Sequence, residues 1–331
     1  MRLTSALMIA AVVCLAFAPG AWAVGADAGT RIVNQATVDY TVGTSPPLTA
    51  VSGTVGLTVA ELVDVDVSWA DASTPVPVLG PLPAAWVPLR FAVTNLGNGD
   101  EDWDLAADNT LLGDDFDPDA SGTSPVIYRD NGDGIFDTGT GDTLVVGSES
   151  IAATSVITPI YFFVLNDFSD TSPTGPGDGE RAWVSLSATS TNAAGGSVQV
   201  GAGDGGSDLV LGTSGGTDGD TGIYEVVLTT LVMIKSAVVD DGGVSPTGDQ
   251  PIPGATITYT IDLGVQGSGT AVGVVFTDPI PTDTTYVPGT LQLNGAPAGS
   301  VSGVPPEAVI DLGNLNAASG TQTITFDVTI D

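Results

Sequence analysis

Apolar side chains recur at every second residue through most of this chain, a rhythm that fits pleated strands and leaves almost no segment able to form an amphipathic helix. Ile32, Asn34, Ala36, Val38, Tyr40 and Val42 fall on one face of a candidate strand. Val63, Val65, Val67 and Trp69 line another, with Asp64 and Asp66 turned away. Leu89, Phe91 and Val93 alternate with Arg90, Ala92 and Thr94 until the NLGNGD turn at 95–100. Such patterns predict half-buried strands of antiparallel sheets. Further strands are expected at 126–128, 144–146, 157–165, 182–188, 224–231, 256–263, 273–277, 290–293, 309–312 and 323–330. The weak helical candidate at 102–112 is too short to compete.

The 44 glycines and 22 prolines sit mainly between these runs, where turns need a positive or a fixed φ. Many short strands punctuated in this way predict an all-β fold built from β-sandwiches. The length suits two of them. We expect an N-terminal β-ribbon over 24–60, a sandwich with acidic loops over 61–228, and a second sandwich over 229–331, of the usual immunoglobulin-like size. The Gly/Asp/Ser-rich stretch 195–222 is expected to be loop, with at most a short hairpin at 207–212, and too acidic to contribute core.

Residues 1–23 have the form of an export leader. Arg2 precedes the apolar run 7–18, and Ala21, Trp22 and Ala23 offer a small-residue cleavage site. The run is short for a membrane span and ends in Pro19 and Gly20. The single cysteine, Cys14, leaves with the leader, so the expected mature chain forms no disulfide and depends on its cores and on sheet closure. The net charge of −33 becomes −34 once Arg2 is removed. Such a charge repels nucleic acid and anionic lipid, and divalent cations or high salt would relieve it. The expected location is therefore secreted, extracellular or at a cell surface, without a transmembrane segment in the mature chain.

Four stretches of the C-terminal unit carry a family resemblance: VMIKSAVVDD at 232–241, PIPGATITYTIDL at 251–263, GSGTAVGVVFTDPIPTDTTYVPGTLQLNG at 267–295 and VIDLGNLNAASGTQTITFDVTI at 309–330. In these motifs the chain resembles the DUF11-type repeat domain of bacterial and archaeal surface proteins. AGTRIVNQATVDY at 28–40, FAVTNLGNG at 91–99 and YRDNGDGIFDTGTGD at 128–142 resemble segments that accompany such repeats. The resemblance implies an immunoglobulin-like spacer or structural module and brings no catalytic residues. The chain departs from the family at 264–267, where Gly-Val-Gln-Gly replaces the usual Thr-Asn-x-Gly turn. Independently of the resemblance, Ile257, Tyr259, Ile261 and Leu263 form one apolar stripe and Ile324, Phe326, Val328 and Ile330 another, each able to cover one side of a shared core.

Candidate sites are all acidic or aromatic. Asp130, Asn131, Asp133, Asp137 and Asp142 surround a glycine turn and form a candidate Ca2+ loop, because calcium takes clustered oxygen ligands. The EF-hand spacing and its final glutamate are missing, and the alternative is an Asx-rich hairpin whose carboxylates cap backbone amides. Asp115, Asp117 and Asp119, beside Asp114, make a second candidate, and Asp204, Asp208, Asp218 and Asp220 a weaker third. Lys235 is the sole lysine; the last strand lacks the asparagine that an intramolecular isopeptide bond would need, so a snorkelling side chain at the domain junction is expected. Trp69 and Trp183 are expected in the core, while Trp86 and Trp103 flank turns and are expected to close the ends of the sandwich or, where exposed, to stack on a glycan. With no histidine and no mature cysteine, imidazole or thiolate catalysis is excluded, and an enzyme is not expected. The favoured function is a structural surface protein that partners itself or another surface protein, its ribbon adding as a strand to a neighbour. The alternative is a monomeric adhesive or carbohydrate-binding module.

Overall fold

The computed structural model describes residues 25–331 apart from 81–85, 119–124, 138, 140, 154–156 and 169–175. The leader, Thr140 and Asp119 therefore lie outside the described residues. The architecture is all-β, with no α-helix among the described residues.

Two five-stranded sheets form the first sandwich. One runs in the order Thr143–Leu144, Val126–Arg129, Ile160–Asn166, Val87–Asn95, Val65–Trp69; the other runs Glu149–Ile151, Glu101–Asp108, Arg181–Ser190, Thr217–Val227, Val76–Leu79. All neighbours are antiparallel except Val76–Leu79, which runs parallel to Thr217–Val227. The period-two alternation has the expected result: Leu89, Phe91, Val93, Phe162 and Val164 of the first sheet are buried against Trp103, Val184, Leu186 and Tyr224 of the second. The helical candidate at 102–112 is the strand Glu101–Asp108.

The stretch 195–222 departs from expectation. It supplies Val198–Gln199 and Leu209–Leu211, which pair with Glu61–Val63 in a small three-stranded sheet, and it begins the long strand Thr217–Val227. Leu209 is fully buried in the core and Leu211 packs against it. Only two or three apolar residues do this, and they are diluted among glycines, so composition over a window hides them.

The second sandwich packs Thr230–Asp240, Thr256–Gln266, Gln322–Ile330, Gln292–Leu293 and Ala296–Pro297, with Thr284–Tyr286 alongside, against Thr270–Pro279, Glu307–Asn316 and Ser300–Ser302. The two predicted stripes meet in register, Tyr259 opposite Phe326 and Ile261 opposite Ile324. Ile261, Ile324, Phe326 and Val328 are fully buried. The two cores share no residue. At the junction, Asp178 accepts hydrogen bonds from the Leu228 amide (2.7 Å) and Ser268 Oγ (2.7 Å), and Gly269 N donates to Leu228 O (3.0 Å).

Separate cores predict separable unfolding. Phe326→Ala should cost the second sandwich about 3–5 kcal/mol, and calorimetry of the variant should show one transition displaced downward with the other unchanged; a uniform shift of a single transition would contradict independent cores.

Candidate functional site

The N-terminal segment forms a hairpin that stands clear of both cores. Arg31–Asn34 pairs with Val55–Thr58, and Thr37–Tyr40 pairs with Leu48–Val51. All four strands are exposed along their whole length. Ile32 lies opposite Leu57, and Tyr40 opposite Leu48. Val38 is 62% exposed and Leu57 69%. The ribbon has no third strand and no sheet beneath it among the described residues. A two-stranded hairpin of this kind is marginal alone in water and gains stability from another strand or a surface to cover it.

Its base, by contrast, is fixed. Asn98, in the turn after Val87–Asn95, donates from Nδ2 to Ala26 O and Ala60 O (both 3.1 Å) and accepts from Leu62 N at Oδ1 (2.6 Å), so one side chain holds both ends of the ribbon. Ala28 N donates to Asn98 O, while Gly29 and Val59 close the last rung. A Cβ at Gly29 would come 2.9 Å from Asp204 O, and one at Gly99 would come 2.5 Å from Glu61 Oε1, so both close approaches need glycine. Glu61 is buried and accepts from Asp204 N (2.7 Å), and the buried Glu101 accepts from Ser190 Oγ (2.8 Å) and Asn192 Nδ2. Burial pushes both carboxyls above their ordinary values, outweighing those hydrogen bonds, and neighbouring negative charges add to it.

The acidic loop after Val126–Arg129 is organised around a guanidinium. Asp130 Oδ2 accepts from Arg90 Nη2 (2.7 Å) and Nε (3.1 Å), and its Oδ1 accepts from Gly132 N (2.7 Å) and Gly134 N (3.3 Å). Arg90 also lies 3.7 Å from the Tyr161 ring centroid. Burial tends to raise the Asp130 pKa, but the Gly132 amide, Arg90 and the Gly134 amide together hold it below the ordinary aspartate value. Asn131 Oδ1 caps Asp133 N, Asp133 Oδ1 caps Ile135 N, and Asp142 takes Asn131 N and Asp137 N. Four of the five predicted ligands thus hold amides of the loop itself, and the first of them, Asp130, is also paired with Arg90.

The other carboxylates behave similarly. Asp114 and Asp115 accept from Trp183 N and Arg181 N (both 2.9 Å), extending the pairing of Arg181–Ser190 beyond the end of Glu101–Asp108. Asp117 is exposed, and desolvation followed by the charges of Asp114 and Asp108 raises its pKa. Asp218 and Asp220 accept from Val67 N and Trp69 N (both 2.7 Å), and Asp208 accepts from Gly201 N. Asp204 contributes its backbone to the ribbon socket. Among the described residues, no group of three or more acidic side chains is placed to hold a metal ion.

Two tryptophan expectations reverse. Trp103 is fully buried in the core, whereas Trp183 alternates with the buried Ala182 and Val184 and so lies on the outer face, beside Gly113. The alternation around each residue held the signal, and proximity to a turn misled. Trp69 is half-buried against the core, and its Nε1 donates to Asp71 (2.7 Å). Trp86 is 49% exposed and lines a recess of about 380 Å³ with Val126, Tyr128, Phe136 and Leu165. Lys235 is not at the junction: it sits mid-strand in Thr230–Asp240, ion-paired with Asp278 and 4.6 Å from the Tyr259 ring centroid.

No family model matches the chain. No curated protein matches it either. Among solved structures it is similar to a protein of Corynebacterium diphtheriae described as membrane-anchored (10% identity, 91% of this chain and 89% of that one, TM-score 0.21). It is similar also to the secreted serine protease VesC of Vibrio cholerae (10% identity, 80% of this chain and 46% of that one, TM-score 0.20). A third is the alpha-L-rhamnosidase of Streptomyces avermitilis (14% identity, 82% of this chain and 22% of that one, TM-score 0.18). Superpositions this loose transfer no activity.

Two tests follow from the charges. Arg90→Met leaves Asp130 without its cation and should destabilise the first sandwich by about 3 kcal/mol; millimolar calcium should raise the melting temperature of this variant more than that of the parent, and equal responses would show that the loop has no use for a cation. Glu61 and Glu101 bind protons more tightly folded than unfolded, so their contribution to stability is full below their ordinary values and is lost as pH rises through the raised ones. The melting temperature should therefore increase on acidification from neutral pH toward 5, and Glu61→Gln with Glu101→Gln should flatten that increase.

Proposed function

We propose that this chain is an exported structural protein of the cell surface that assembles with copies of itself by adding its N-terminal ribbon, as β-strand, to a neighbouring molecule. The observation that carries this reading is the ribbon: a hairpin held at Asn98, exposed on both faces, with apolar pairs that nothing among the described residues covers. Strand addition would satisfy the open backbone groups and bury those pairs at once. The leader-like N-terminus and the DUF11-type motifs support a surface role, and a mature chain without cysteine would gain from having its edges occupied by neighbours.

A second reading rests on the recess beside Trp86. Three aromatic rings, Trp86, Tyr128 and Phe136, line it, and Phe136 packs edge-on against Tyr128 (5.3 Å) and Phe163 (5.6 Å), which holds it in place. Such a surface suits a sugar ring. Glycan-array binding abolished by Trp86→Ala would support it, and no binding by the parent would remove it.

For assembly, residues 31–58 can be replaced by an Asn-Gly turn, because Thr30 and Val59 already close the base. Sedimentation and negative-stain microscopy of the mature protein should show higher-order species that the shortened variant does not form. A parent that stays monomeric at high concentration, in salt and calcium, would overturn the proposal.

A further inference from the structure

An edge strand either is blocked or invites another chain. Most edges here are blocked. Outward amides of Val65–Trp69 are taken by Ser214 Oγ, Asp218 and Asp220. Val76–Leu79 has four residues and contains Pro77, and Ala296–Pro297 ends in proline. Thr143–Leu144, Glu149–Ile151 and Ser300–Ser302 are two or three residues long. Thr270–Pro279 is long, but its register shifts twice between Ala271 and Val275, with Gly273 at φ +64°.

Thr230–Asp240 has none of these devices. It keeps eleven consecutive partners in Thr256–Gln266, without proline or bulge, and among the described residues no strand pairs with its other side. Every residue but Val239 is exposed, including Leu231, Val232, Met233, Ile234 and Val238. Its lysine, which would ordinarily deter pairing, is neutralised by Asp278.

We infer that the free edge of Thr230–Asp240 is the acceptor for the ribbon of a second copy, pairing with its arm at 31–42. The inference rests on the proposed self-association and names its receiving surface. Charge selects this pair of surfaces. The ribbon 31–58 contains only Arg31 and Asp39, and the acceptor only Lys235 and Asp240. In a chain of net charge −33 these are neutral stretches through which like-charged copies can approach. The two together hold half of the large apolar side chains exposed among the described residues. Lengths also agree, twelve residues of arm against an eleven-residue edge. The ribbon leaves the first sandwich near Asn98, whereas Thr217–Val227 delivers the chain to the second sandwich from the opposite end. Donor and acceptor therefore lie at opposite poles, a heterologous arrangement that propagates head to tail.

The mature chain lacks cysteine, which allows a clean crosslinking test. Val38→Cys protein is mixed under mild oxidation with copies carrying one cysteine at Val232, Ile234, Ser236 or Val238, and with a control carrying Val275→Cys on the bulged edge. At least one acceptor position should give a disulfide-linked dimer tenfold or more above the control. In parallel, Ile234→Lys with Val238→Lys should abolish assembly while the melting temperature shows the fold intact. Assembly that persists in this variant, or crosslinks no more frequent than the control's while the parent still associates, overturns this acceptor and leaves self-association standing. A parent that does not associate at all overturns both.

Discussion

Backbone amides, more than cationic side chains, hold the carboxylates of this protein in place. With thirty-nine acidic residues and six basic ones, ion pairing can neutralise only a few carboxylates. Four ion pairs are found among the described residues. Many of the other carboxylates are placed where strands run out of partners or turns expose N–H groups. Asp241 alone accepts from the amides of Gly243, Val244, Ser245 and Gln250. An amide bonded to a carboxylate is no longer orphaned, and the carboxylate is held in its charged form. One interaction thus serves both the loops and the solubility of the chain.

The same interaction closes one of the long sheet edges. Side-chain carboxylates close Val65–Trp69 without adding a strand, and Asp114 and Asp115 prolong the ladder of Arg181–Ser190 in the same way. Where aspartate is sparse, two long edges stay open: the ribbon and Thr230–Asp240 each contain a single one. The distribution of acid along the sequence is therefore also a distribution of accessible backbone.

Much of the fold was legible because period-two alternation reports directly on which side chain faces a core. The stripes at 257–263 and 324–330 and the run at 87–95 became paired strands with their apolar faces inward. Leu209 was not legible, since three apolar residues among glycines carry too little periodic signal. The carboxylates were visible as clusters, but their partners are amides up to 151 residues away, as with Asp218 and Val67, and no spacing rule encodes that distance. Arg90 was passed over because its partner, Asp130, lies 40 residues along, at the end of another strand of the same sheet. The exposure of the ribbon was equally hidden: its alternation is that of a half-buried strand, and only the structure shows that nothing among the described residues buries it.

The strand Thr217–Val227 spans the first sandwich from the ribbon end to the linker and is matched residue for residue with Arg181–Ser190 over nine positions. Hydrogen bonds of an antiparallel ladder lie across the strand direction. Tension applied between the two poles therefore loads this ladder in shear, with many bonds sharing the force, rather than peeling them one at a time. The molecule has the mechanical layout of a link in a chain.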